Sequence, residues 1–355
     1  MSTYVIAEAG VNHNGSLEMA RDLIDAAADA GVDAVKFQTF RVDALVTRSA
    51  PKAAYQRANT NAEESQHAML KDLELSWDDH LELVEHCKCR DIQFLSTAFD
   101  TESLQMLTEK IGMPRIKIPS GEVTNGPLLL AAARTGRPVI LSTGMCTLGE
   151  VEQALCVLAY GYTESEVEPS LEAFGAAYAS AVGQDALRDL VTVLHCTSEY
   201  PTPPADVHLR AMDTLHAAFG LYVGYSDHTQ GIVVPIAAVA RGAVLVEKHF
   251  TLDRALPGPD HRASIEPTEL TEMVQAIREV EAALGRSVKA PTTGELETQM
   301  VARKSLATAM GIQEGELFSE ANLTALRPGV GVSPMEYWRY LGSSASRSYE
   351  PGEVL

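Results

Sequence analysis

The chain has 355 residues, 46% of them hydrophobic, which suffices for a large buried core with a second, smaller domain beside it. A formal net charge of −20 excludes nucleic acid and an anionic membrane surface as partners, because both need a surplus of Lys and Arg; any anionic ligand must instead meet locally placed cations. Cys87, Cys89, Cys146, Cys156 and Cys196 lack metal-site spacing, no basic-then-apolar leader opens the chain, and no run of about 18 apolar residues occurs, so a reduced, cytoplasmic protein is expected.

From residue 4 to 285, short β-rich runs alternate with amphipathic helical patterns. The runs lie at 4–7, 34–37, 93–95, 115–118, 139–141, 191–194, 221–223 and 243–246, with helical periodicity at 17–31, 77–90, 102–111, 128–136 and 267–284. Eight strands with intervening helices predict an α/β fold, a (β/α)8 TIM barrel over residues 1–285. An open doubly wound sheet is the alternative, but no Gly-x-Gly-x-x-Gly turn follows the first strand. Two stretches interrupt the pattern. Residues 40–76 form a long polar connection with Asn59-Thr-Asn61 and Glu63-Glu-Ser65, read as a lid over the ligand face. Residues 161–189 form an acidic, helix-compatible insertion, expected to be an exposed decoration. Beyond Gly285, residues 286–300 read as a linker running into a helix at 296–303. Residues 301–355, broken by Gly311, Gly315, Pro328, Gly329, Gly331 and Pro334, read as a small domain poor in regular structure.

Chemistry-bearing residues collect where strands end, the face on which barrels bind ligands. They are Glu8, then Lys36 and Gln38, Ser96 and Thr97, Lys117 and Ser120, Ser142 and Thr143, and His195 to Tyr200. Gly224-Tyr-Ser-Asp-His-Thr-Gln-Gly231 and Glu247-Lys-His-Phe-Thr251 put His228 and His249 on neighbouring strand ends, with Ser226, Asp227, Glu247 and Lys248 around them. Two such imidazoles can share a divalent metal; hydrogen-bonded rim histidines are the bland alternative. Lys36 and Lys117 lie within buried runs, where an unpaired charge costs several kcal/mol at least, so each needs an anion or a structural carboxylate. Two lysines with several hydroxyls suit a substrate carrying phosphate and carboxylate. Lys117-Ile-Pro-Ser-Gly-Glu122 and Leu141-Ser-Thr-Gly-Met145 add Ser and Gly at turns entering helices, where free N–H groups favour anions.

These motifs, with Ala7-Glu-Ala-Gly-Val-Asn-His-Asn-Gly15, Val35-Lys-Phe-Gln-Thr39, His195-Cys-Thr-Ser-Glu-Tyr-Pro-Thr-Pro203, Pro257-Gly-Pro-Asp-His261 and Leu326-Arg-Pro-Gly-Val-Gly-Val-Ser-Pro-Met335, resemble the sialic acid synthase family nearly end to end. Those enzymes condense phosphoenolpyruvate with a 2-acetamido hexose, and their barrel is followed by an antifreeze-like SAF (β-clip) domain. The resemblance implies Mn²⁺, or Mg²⁺ or Co²⁺, on His228 and His249. It places phosphoenolpyruvate on Lys36, Thr97, Lys117, Ser120, Ser142, Ser198, Tyr200 and Ser226, with Ser198 standing where some members carry Asn. The N-acetylated hexose would meet Glu8, Gln38, Asn61, Tyr200 and Asp260, and Arg327 would reach it from the partner subunit in a domain-swapped homodimer. Glu8, Glu247, Lys117 and Tyr200 would carry catalysis. The insertion at 161–189 is absent from many members. N-acetylmannosamine, giving N-acetylneuraminate, is slightly preferred over a 2,4-diacetamido-6-deoxy sugar giving legionaminate. A Schiff-base aldolase using Lys36 or Lys117 and a non-catalytic sugar-binding protein are the remoter alternatives.

Overall fold

In the computed structural model, which describes residues 2–60, 63–163 and 167–355, the eight runs are parallel strands. They are β1 (Tyr4–Gly10), β2 (Ala34–Thr39), β3 (Gln93–Ala98), β4 (Ile116–Ile118), β5 (Val139–Ser142), β6 (Val191–Cys196), β7 (Tyr222–Asp227) and β8 (Leu245–His249). Each pairs with the next, and β1 pairs with β8, so the sheet closes into a (β/α)8 barrel and the open-sheet alternative falls. Several strands run further than their apolar stretches. β1 continues past Ala7 through Glu8 to Gly10, β7 through Ser226 and Asp227, and β8 through Glu247 to His249. Charge breaks an apolar pattern without breaking a backbone ladder when the charged side chains pair with one another, as they do here.

The helices follow from periodicity. α1 (Leu17–Asp29) buries Ala20, Leu23, Ile24 and Ala27, an i, i+3, i+4, i+7 stripe facing the strands, and Ser16 caps it by accepting from Met19 N at 3.2 Å. The connection at 40–76 is not an irregular loop. It holds α2 (Val42–Leu45), α3 (Ala54–Asn59) and α4 (Gln66–Lys71) before α5 (Trp77–Cys89). Its charges pair with each other, Arg41 with Glu74 at 3.0 Å and Lys52 with Glu64 at 2.5 Å.

The insertion forms helices Leu171–Ala179 and Ala181–Leu190. It is more than decoration: Leu187 is buried in the barrel core and Phe174 packs edge-on against Tyr160 at 5.1 Å, although Leu171 and Val182 stay exposed.

Contacts divide the chain into two compact units, Met1–Gly285 and Arg286–Leu355. The second unit takes in the stretch expected as a linker, including helix Thr293–Ala302, which a reciprocal Thr292–Glu295 cap starts. Its β9 (Ser305–Thr308) and β10 (Leu323–Leu326) pair antiparallel over a small core of Leu306, Ile312, Phe318, Leu323 and Ala345. All five cysteines are free thiols, and among the described residues no helix is long and apolar enough to cross a membrane.

Candidate active site

Four charges meet inside the barrel mouth, each nearly excluded from solvent: Glu8, Lys36, Lys117 and Glu247. The barrel register brings them together, since Glu8 neighbours Lys36 across β1 and β2 and β1 also pairs with β8, which carries Glu247. Lys36 pairs with Glu8 and lies 3.7 Å from Glu247; Lys117 lies 3.2 Å from Glu247. Lys36 Nζ also donates to Thr97 Oγ1 at 2.9 Å, Ser226 Oγ to Glu247 Oε1 at 3.0 Å, and Gln38 Nε2 to Glu8 Oε1 at 3.3 Å. Two positive and two negative charges cancel, so the cluster is tolerable when empty and gains a net cation as soon as one carboxylate is neutralised. Burial opposes ionisation of Glu247, yet Lys117 and then Lys36 outweigh it and hold the group at about 2. Burial wins at Glu8, which is pushed above its ordinary range against the pull of Lys36. Burial likewise lowers Lys117.

Beside Lys117 lies a small polar cradle. Gly144 N donates to Ser120 Oγ at 2.8 Å, and the buried Ser142 Oγ has no hydrogen-bond partner among the described residues. A Cβ on Gly144 would collide with Ser198 Oγ and stand 2.9 Å from Ser120 Oγ, so glycine keeps the space between the two hydroxyls open. A second glycine does the same on the other side: Gly10, at φ +54°, would place a Cβ 3.2 Å from Glu8 Oε1 and 3.5 Å from His249 Cε1.

His228 and His249 stand with ring centroids 5.4 Å apart. His228 Nδ1 is engaged by Thr197 O at 2.6 Å, which leaves Nε2 as its remaining lone-pair donor. His249 Nδ1 is buried without a hydrogen-bond partner among the described residues, and burial, then His228, holds the ring well below its ordinary pKa, as a neutral imidazole. No group of three or more His, Cys, Asp or Glu side chains gathers in metal-binding proximity among the described residues. Two imidazoles, one with an orphaned nitrogen, fit an ion that completes its shell with substrate and water. Tyr200 lies tilted against His228 with ring centroids 4.1 Å apart, and Tyr55 from α3 stacks on Tyr200 at 4.9 Å, tying the lid to the histidines. Burial, then Glu8, raises Asp260 to about 6.

One cavity of about 430 Å³ is lined by Glu8, Lys36, Gln38, Thr97, Lys117, Ser120, Ser142, Ser198, Tyr200, Ser226, His228, Glu247, His249 and Asp260, fourteen of the sixteen residues to which the family resemblance gave a role. Asn61 lies outside the described residues, and Arg327 sits exposed in the second unit, directly after β10. Other strand-end residues are engaged elsewhere. Ser96 bonds Thr39, Thr143 Oγ1 donates to Leu194 O, His195 Nε2 contacts Val207 O, and Lys248 pairs with Asp227. Sequence reasoning gave no role of its own to Tyr55 or to Cys196, whose Sγ lies 3.8 Å from His228 Nδ1, and read Gly144 only as part of a turn. Cys196 alternates with Ser198 along the chain, and that spacing was signal enough to place it inside.

The NeuB family matches residues 23–289. The chain is 46% identical over 353 residues to an N,N'-diacetyllegionaminic acid synthase of Campylobacter jejuni, covering 99% of this chain and 98% of the relative. It is 44% identical over 355 residues to the enzyme of the same name from Legionella pneumophila, covering 100% and 94%. Among solved structures it resembles an N-acetylneuraminic acid (sialic acid) synthetase from Leptospira borgpetersenii, in complex with citrate, with a TM-score of 0.67 and 34% identity over 84% of this chain and 90% of that one. With the family matched across most of the barrel and relatives aligned from end to end, the chain belongs to the NeuB family of sialic acid synthases.

Proposed function

We propose that this protein is a phosphoenolpyruvate-dependent nonulosonic acid synthase that joins phosphoenolpyruvate to a 2,4-diacetamido-6-deoxy hexose and releases phosphate, forming a legionaminate. The observation that carries the reading is the end-to-end similarity to two N,N'-diacetyllegionaminic acid synthases. It outweighs the slight preference for N-acetylmannosamine reached from motifs alone. N-acetylneuraminate synthesis is the second reading, favoured by the likeness to the Leptospira synthetase.

The geometry suggests a division of labour. Lys36 and Lys117 meet the carboxylate and phosphate of phosphoenolpyruvate, with Thr97 and Ser226 orienting the lysine and glutamate that they already bond. Ser120, Ser142 and Ser198 receive phosphate oxygens in the space Gly144 leaves free. Gln38, Tyr200 and Asp260, with Asn61, hold the sugar. His228 and His249 would hold a divalent cation, Mn²⁺ in preference to Mg²⁺ or Co²⁺, which supplies Lewis-acid polarisation of a sugar aldehyde. C3 of phosphoenolpyruvate bonds to the aldehyde carbon, and the positive charge left at C2 faces the buried carboxylates. The aldehyde oxygen, left as an alkoxide, takes up a proton; water adds at C2 and gives one proton to Glu8, and the C2 hydroxyl gives its own to the departing phosphate as the C–O bond breaks and the keto group forms. Glu8, which burial pushes above its ordinary range, suits the base better than Glu247, which Lys117 and then Lys36 hold at about 2. The second unit serves as the antifreeze-like SAF domain and offers Arg327 to a second copy's sugar site in a domain-swapped homodimer. Free thiols suit a cytoplasmic location.

The test is phosphate release from phosphoenolpyruvate by chelator-stripped protein, with and without Mn²⁺, with each sugar offered separately. Release that needs both metal and sugar, faster with the diacetamido sugar, is expected. Faster release with N-acetylmannosamine would move the assignment to the second reading, and none with either would refute the synthase.

A further inference from the structure

The lid has a polar sequence and an apolar inner face. Charged residues of the lid pair with one another, Arg41 with Glu74 and Lys52 with Glu64, and His67 meets Asp43 at 2.9 Å. Among the described residues, the lid side chains that line the catalytic cavity carry no charge. Val11, Phe40 and Phe99, each the first residue beyond β1, β2 or β3, line the cavity together with Leu45, Val46 and Met69 of the lid. Val11, Phe40 and Met69 belong to an apolar cluster separate from the barrel core, with Leu45 and Phe99 packed against it; Phe40 and Phe99 meet edge to face at 6.2 Å. The wall is therefore anchored to three adjacent strands. The polar lid groups beside it are Tyr55, which stacks on Tyr200, and Gln56 and Gln66, whose amides contact each other at 3.4 Å.

A surface of this kind in a sugar site is selective. A hexose hydroxyl lying against it loses its water and finds no partner, at about 1–3 kcal/mol, whereas a methyl loses nothing. Phosphoenolpyruvate, all carboxylate and phosphate apart from one methylene, belongs with the lysines and serines. We propose that the wall of Val11, Phe40, Leu45, Val46, Met69 and Phe99 is the subsite that receives the methyl-bearing end of the sugar, and that Leu45 and Val46 make the enzyme prefer a 6-deoxy, 4-acetamido hexose to one with hydroxyls at those carbons. This rests on the synthase reading above and assigns the residues that choose its sugar.

The test compares kcat/KM for the 2,4-diacetamido-6-deoxy sugar and for N-acetylmannosamine in the unsubstituted protein, Val46→Thr and Leu45→Gln. Both positions are partly exposed, so the fold tolerates the change, and Val46→Thr keeps the volume while adding a hydroxyl. The ratio of the two values, diacetamido over N-acetylmannosamine, falls about tenfold in each variant, the size of effect one apolar group exerts in such a pocket. KM for phosphoenolpyruvate stays where it was. Equal losses with both sugars, or a phosphoenolpyruvate KM that moves with them, would overturn the wall alone. Phosphate release with neither sugar from the unsubstituted protein would overturn the synthase reading, and the wall with it.

Discussion

Replacing Lys248 by Met separates a structural charge pair from the charge cluster at the barrel mouth beside it. Lys248 in β8 and Asp227 in β7 are register neighbours, both side chains are 0% exposed, and Nζ lies 2.5 Å from Oδ2. Methionine fills most of the lysine's volume, so little of the effect is cavity; what remains is a carboxylate stranded without its cation and the Thr229 carbonyl without its donor. Breaking a buried pair by removing one partner costs about 3–5 kcal/mol. Asp227 keeps three hydrogen bonds, from Tyr225 OH at 2.8 Å, Thr229 N at 3.1 Å and Thr229 Oγ1 at 3.1 Å, which places the loss at the lower end, about 3 kcal/mol. For a unit of this size that lowers the melting temperature by roughly 5 °C. Asp227 and Thr229 flank His228, so the same pair also fixes the strand end that carries that ring. Thermal and urea denaturation of the full chain read the loss. Adding Asp227→Asn to Lys248→Met should recover part of it, because the stranded charge is then gone. A single variant that melts within about 2 °C of the parent, or a double variant no better than the single, would refute the argument.

Two further outcomes follow from the site. Gly144→Ala puts a methyl between Ser120 and Ser198 and should reduce phosphoenolpyruvate-dependent phosphate release by about a hundredfold while leaving the melting temperature unchanged; parental turnover would remove the cradle from the phosphate. His13 is fully buried, and burial, then His80, holds it at about 4 against an ordinary 6.5. Above 6.5 the ring is neutral in folded and unfolded chains alike; as pH falls from 6.5 towards 4 only the unfolded chain takes up the proton. Stability is therefore lost on acidification across that window, by about 3 kcal/mol from this ring. His13→Gln should flatten urea midpoints between pH 7 and 4.5 by nearly that amount, and an unaltered pH slope would show that His13 is not the group that titrates.

The barrel was legible because its strands are buried on both faces and read as apolar runs. The lid was not, because α2, α3 and α4 have four, six and six residues, too few for a 3.6-residue period to register and too few to be stable without the surface they cover. The charged strand ends were read as one crowd, yet they divide by a rule already present in the sequence. Side chains along a strand alternate between faces. In β7 and β8 that puts Ser226 and His228, Glu247 and His249 on the cavity side, and Asp227 and Lys248 on the other, where they are found paired. The same alternation sends Lys36 and Gln38 inward, turns Ser96 away while Thr97 enters, and brings in Cys196 with Ser198 as His195 leaves. What period two could not supply is which inward charges neutralise one another, since Glu247 meets Lys117 from a strand four places away around the barrel. Closure of the sheet creates that contact, and with it the balanced charge that lets four ionised side chains share a buried mouth until a substrate displaces their mutual attraction.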